Sequence, residues 1–201
     1  MALEGRNNQE GFWTNTPTRD PKRAYRFRVQ FGNSGPLWYA KKATKPTITI
    51  TESSHQYLNH TYYWPAKTEW NEVDITFVDP VEPDLAGDLV TSIREAGYSI
   101  PAGINETGRD FVTPSKAGMI AATTGDKDAK IIIEQIDEDG NTLEKWTLWH
   151  AWIRELTFGD LDYGSEDLTE VMVKFRYDWA QFDGVEGGDA NNIFLPGDRT
   201  P

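Results

Sequence analysis

The sequence contains no cysteine, which excludes disulfides, thiolate nucleophiles and cysteine-based zinc sites and leaves the redox compartment open. No window approaches the run of about 18 apolar residues that a membrane-spanning helix needs. The opening Met1 to Asp20 is polar and lacks the apolar core of a signal peptide, so the expectation is a soluble chain that is neither exported nor membrane-bound. Helical periodicity is scarce as well, confined to one segment, and histidine occurs only three times. Aromatics are abundant, with eight Trp, eight Tyr and nine Phe in 201 residues. That supply is enough to fill the core of one all-β domain without covalent staples.

Charge is unevenly spread. The net charge is −12, from 20 Lys and Arg against 32 Asp and Glu, and it disfavours unspecific adhesion to nucleic acid. Residues 1–46 nevertheless carry nine basic and three acidic residues. Such polarity suits self-association in which the basic segment of one copy meets the acidic body of the next, and it equally suits a solvated surface. The chain divides into a polar, basic arm (1–24), a β-rich domain (25–182) and a polar tail (183–201) in which Ile193-Phe194-Leu195 is the sole apolar cluster.

Alternation of apolar and polar residues marks the strands. Tyr25, Phe27, Val29 and Phe31 share one face, and Leu37 to Lys42 can return beside them. In Pro46 to Glu52 an Ile face is expected to be buried and a Thr face polar. Tyr57 to Trp64 is aromatic, and Trp70 to Val78 sets Val73, Ile75 and Phe77 against Glu72, Asp74 and Thr76. Later strands are expected at 130–136, 143–149 and 151–158, and one long strand at 168–179. Most aromatics fall on inward sides and read as core. One helix is expected at about 84–97, with Asp84 as its N-cap and Leu85, Leu89, Ile93 and Ala96 on one face. Residues 99–128 read as a long loop rich in Gly, Thr and Pro, the kind usually kept for function. The fold expected is mainly β, an antiparallel barrel or sandwich with one flanking helix.

Catalytic and metal chemistry is poorly supplied. Asp137-Glu138-Asp139-Gly140-Asn141 lacks the further ligands of a calcium loop and fits a hairpin turn. Gly103 to Asp110 has phosphate-loop glycine spacing, yet Arg109-Asp110 stands where Lys and Ser/Thr are required. His55, His60 and His150 lack metal-site spacing, and no Gly-x-Ser-x-Gly elbow occurs. Glu72 and Asp74, two apart on a strand, mimic paired glycosidase carboxylates but suit a charged strand face. The expectation is no enzyme, no cofactor and no metal. A carbohydrate-binding module, with aromatics stacking on sugars, is the rival from another class.

Lys42-Ala43-Thr44-Lys45-Pro46 before the Thr/Ile strand, Val78-Asp79-Pro80 before the helix, Phe158-Gly159-Asp160-Leu161 after Trp149 to Trp152, and the ending Phe175-Arg176-Tyr177-Asp178-Trp179 occur in a characteristic order. In that order, over residues 25–182, the sequence resembles the tail tube proteins of contractile-tailed bacteriophages. The resemblance implies a virion structural protein whose six copies form a ring, rings that stack into a tube within a tail sheath, and baseplate and tail terminator proteins at the ends. Double-stranded DNA would pass through the lumen without specific binding, with assembly in the host bacterial cytoplasm. A type VI-like secretion tube and a tube initiator are alternatives with the same fold. A lumen that lets DNA slide must not grip phosphate, so Thr47, Thr49, Thr51 and Glu52, and then Glu72 and Asp74, are the lumen-facing candidates. An ordinary solvent-facing strand side fits the same residues. The 99–128 loop, with Gly103, Gly108, Arg109, Pro114 and Lys116, is the candidate contact between rings.

Overall fold

Twelve elements follow one another in the computed structural model, which describes residues 22–32, 36–98, 113–124 and 130–184. They are β1 (Phe27–Phe31), β2 (Ala40–Ala43), β3 (Ile48–Tyr57), β4 (His60–Trp70), β5 (Val73–Val78), α1 (Leu85–Glu95), α2 (Lys116–Thr124), β6 (Lys130–Ile136), β7 (Thr142–Trp149), β8 (Trp152–Thr157), β9 (Glu170–Arg176) and β10 (Trp179–Asp183). Every strand pairing is antiparallel. One sheet runs β1-β6-β7-β10, a second β2-β5-β9-β8, and β3 with β4 forms a separate two-stranded hairpin.

The two four-stranded sheets bury one apolar layer between them. Cross-strand partners share a face, so the inward rows of the first sheet follow from its register: Phe31, Ile131 and Leu148, then Val29, Ile133 and Trp146, then Phe27, Gln135 and Glu144. Opposite them lie Val73, Ile75 and Phe77 of β5 and Val171, Val173 and Phe175 of β9, all inaccessible to solvent. Phe31 joins the layers, its ring edge-on to Phe77 at 5.8 Å and to Phe175 at 5.4 Å. The third row of the first sheet turns polar at Gln135 and Glu144.

Two differences from the sequence-based expectation have local causes. The long strand expected at 168–179 is two: β9 ends at Arg176, and β10 starts at Trp179 in the other sheet. Alternation alone cannot register a chain that crosses between sheets. Among the described residues there are also two helices rather than one. α1 forms as expected, with the Asp84 carboxylate accepting from the Gly87 N–H at 2.9 Å and Gly97 following at φ 111°, a left-handed conformation that favours glycine. α2 lies inside the segment that reads as loop. Its nine residues, a glycine and two threonines among them, are too few to hold a helix alone, and tertiary packing supplies what so short a segment does not. Met119 is buried in the core cluster, and Gly118 lies so close to α1 that an added Cβ would sit 2.6 Å from the Ala96 carbonyl oxygen.

Candidate assembly surface

β3 and β4 are ten and eleven residues long and, among the described residues, pair only with each other. β-branched and aromatic residues favour the extended backbone, and Leu58, at φ 53°, makes the turn. The register pairs Ile48 with Trp70 and Ile50 with Thr68, then shifts before Glu52 pairs with Pro65 and Ser53 with Trp64. The shift places an extra residue on β4 next to Pro65, which has no N–H for a ladder bond. Thr51 repairs the gap: its hydroxyl accepts from the Lys67 N–H at 2.9 Å and donates to the Lys67 carbonyl at 3.1 Å.

Both faces of this hairpin meet solvent. Ile48 is 36% and Ile50 60% exposed, so the expected burial of the Ile face is not what the chain does on its own. Nor are the aromatics mostly core: Tyr57, Tyr62, Tyr63 and Trp64 all stand exposed on the hairpin, as do Tyr25, Trp38 and Tyr163 elsewhere. Tyr63 shares the Ile side through its pairing with Ser54. His60, Tyr62 and Trp64 form a row on the other side, with ring centroids 4.7 and 6.1 Å apart. A two-stranded ribbon with apolar residues on both faces and free edges is not stable in water by itself.

The candidate lumen residues fall into three settings. Thr47, Thr49 and Thr51 share the hairpin side of His60 and Tyr62, with Thr49 accepting from the Asn71 amide at 2.7 Å, while Glu52, one position on, takes the opposite side with the isoleucines. Glu72 and Asp74 belong instead to the outer face of the second sheet. There Glu72 is ion-paired to Arg154, with Arg176 at 3.7 Å, and Asp74 sits opposite Lys174, which itself pairs with Glu155. That face carries both signs of charge.

Of the candidate inter-ring residues, Gly103, Gly108 and Arg109 lie outside the described residues. Pro114 precedes α2, and Lys116 opens it, holding both oxygens of Asp178 at 2.7 Å. His150, in a β7–β8 turn at φ 55°, meets the same carboxylate through Nδ1 at 2.9 Å. Burial works to raise the Asp178 pKa, but the bonds from Lys116 and His150 outweigh it and hold the carboxyl below its usual range. His150 is thus bound to the end of the sandwich, far in sequence from His55 and His60 on the hairpin. Among the described residues no three His, Asp or Glu side chains are grouped to hold a metal.

The basic stretch has partners that sequence reading misses. Seven basic residues and no acidic one lie between positions 22 and 45, and five of the seven pair within the chain: Lys22 and Lys45 with Glu144, Arg26 with Glu138, Arg28 with Glu134, and Lys41 with Glu170. Glu144 is only 7% exposed. Burial works to raise its pKa, but hydrogen bonds from Lys22, Lys45 and Trp146 prevail and lower it from 4.5 to about 2. Around this carboxylate opens a cleft of about 900 Å³, lined among others by Tyr25, Phe27, Lys42 and Trp146. The strand pattern of β7 gives no hint of it, since an inward-facing glutamate looks like any other polar residue in a sequence.

No protein-family model matches the sequence, and no curated protein matches it. Solved structures do. A chain of the anti-feeding prophage baseplate aligns with TM-score 0.60 and 17% identity over 83% of this chain and 98% of its own. A chain of the sheath-tube complex of an extracellular contractile injection system aligns with TM-score 0.58 and 15% identity over 82% and 93%. A chain of the anti-feeding prophage tube-terminating cap aligns with TM-score 0.58 and 14% identity over 82% and 92%. The fold is that of contractile injection system tube proteins.

Proposed function

We propose that the chain is a tube subunit: six copies close into a ring, and rings stack into the hollow tube of a contractile particle. The observation that carries the reading is the β3–β4 hairpin, which exposes Ile50, Tyr62, Tyr63 and Trp64 and, among the described residues, joins no other sheet. A neighbouring copy that pairs its edges and covers the Ile50 and Tyr63 face removes the free edges and the exposed apolar side at once while leaving the Thr face open, and a head-to-tail contact that closes gives a ring. The fold shared with chains of a sheath-tube complex and a tube-terminating cap supports the same assembly. The finer reading is a bacteriophage tail tube, assembled in the host cytoplasm, wrapped by a sheath and bounded by baseplate and terminator proteins. Its lumen conducts double-stranded DNA past Thr47, Thr49 and Thr51, and the α2 region with Pro114 and Lys116 meets the next ring. This is a structural role without catalysis.

Negative-stain electron microscopy with sedimentation velocity, across protein concentration, tests the reading. Rings or tubes of uniform diameter are expected. A chain that stays monomeric at every concentration, and also when offered preformed tube ends, overturns it. The tilted pair Tyr62 and Trp64, at 34° between planes, favours sugar stacking, and glycan binding by such a monomer would establish the carbohydrate-binding reading instead.

A further inference from the structure

The inward face of the first sheet is apolar except at one mouth, where Gln135 and Glu144 complete its third row. A carboxylate there is costly unless its charge and both oxygens are satisfied. Three donors do so. Lys22 reaches Oε2, Lys45 reaches Oε1, and the Trp146 indole N–H donates to Oε1 at 3.0 Å. Gln135 extends the node, accepting from Lys45 at 2.9 Å and donating to the Arg23 carbonyl at 3.1 Å.

The two lysines come from the two segments that leave the sandwich at this mouth. Lys22 and Arg23 belong to the arm that runs into β1. Lys45 belongs to the connection between β2 and β3, the root of the hairpin. On the second-sheet side that root is held by Thr44, whose N–H donates to the Asp74 carbonyl at 2.9 Å and whose hydroxyl accepts from the Asp74 N–H at 2.8 Å. Lys45 ties it across the mouth to the first sheet. Pro46 follows at once and restricts Lys45 to extended backbone, so a fixed Lys45 fixes the direction in which β3 departs.

We propose that Glu144 is the positioning residue for the β3–β4 hairpin, holding its root through Lys45 and coupling it to the arm through Lys22, so that hairpin direction depends on an arm seated at the same carboxylate. The consequence for ring closure rests on the tube-subunit reading; the positioning itself does not. With the brace intact the hairpin leaves the sandwich in one direction and is ready to meet a neighbour. Without it, the root retains its ties to the second sheet and swings about them.

The absence of native cysteine allows a direct test. Spin labels at Ser54→Cys on the hairpin and Thr157→Cys on β8 report their separation by pulsed electron paramagnetic resonance in the full-length, unassembled chain. One narrow distance is expected in the parent. Glu144→Gln and Lys45→Met should broaden and shift it, and Lys22→Met should broaden it less. Lys45 is half exposed, so its replacement keeps the test open should Glu144→Gln fail to fold. A distance unchanged by Lys45→Met and Lys22→Met in folded protein overturns the proposal. Ring formation by the unlabelled parent is scored separately: its failure removes the tube reading and leaves the brace to be judged by distance alone.

Discussion

At the scale of single residues, Glu144 has the largest electrostatic consequence. Its carboxyl is held at about 2 when folded and lies near 4.5 otherwise. A depressed carboxylate contributes its full stability above the unfolded value, and the contribution is lost as the pH falls from about 4.5 through about 2. By linkage this amounts to roughly 2–3 kcal/mol at neutral pH, trimmed by water around the two half-exposed lysines. Chemical denaturation of Glu144→Gln across acid pH should therefore show a chain less stable at neutrality by about 2 kcal/mol, with a flatter decline below pH about 5. A decline as steep as in the parent would mean that other carboxylates govern acid unfolding. Gly118 illustrates a different residue-scale constraint. Nothing in the composition of residues 116–124 demands glycine there, but the approach of α2 to the Ala96 carbonyl does.

Among the elements, the hairpin separates folding from assembly. Its exposed side chains contribute little to the core, so Tyr63→Ser and Trp64→Ser should shift the thermal midpoint by no more than about 2 °C while abolishing rings in electron micrographs. Phe175→Ala, in the closed layer between the sheets, should instead cost about 3–5 kcal/mol. If the hairpin variants unfold like the core variant, the hairpin is part of the fold and not a reserve for a neighbour. α2 carries a double constraint. Since Met119 belongs to the core cluster, the 116–124 stretch serves the fold of the chain itself, whatever contact between rings the proposed assembly asks of it.

For the whole molecule, charge sets how copies meet. The basic stretch between positions 22 and 45 is largely neutralised by carboxylates of its own chain, so it has little left to offer the acidic body of a neighbour. Copies with a net charge of −12 repel one another, and salt screens that repulsion. Raising the ionic strength should then shift sedimentation toward rings. Dissolution of rings by salt would show that pairing between basic and acidic surfaces of different copies dominates after all.

How much of this is legible in the sequence follows from the range of each interaction. Period-two alternation depends on neighbours along the chain and locates β1 and β5, the Asp137 to Asn141 turn signal between two apolar runs locates β6 and β7, and helical spacing behind an Asp84 cap locates α1. The order of short motifs around Lys42 to Pro46 and Phe175 to Trp179 points to a tube fold that the solved structures share. Alternation does not say what lies across from a face. The Ile side of Pro46 to Glu52 reads as buried because apolar residues usually are, yet Ile48 and Ile50 stand exposed and among the described residues no other strand joins the hairpin. α2 escapes a sequence reading because it is too short to show a helical period and is held by packing against α1 and β8, and the split at Asp178 escapes it because the chain changes sheets there. The composition determines a chain free of disulfides and rich in aromatics, and the pattern along it a mainly β one. Only the tertiary structure decides which carboxylate meets Lys22 and Lys45, because those residues lie 122 and 99 positions from Glu144 and are joined by the pairing of sheets, not by any pattern along the chain.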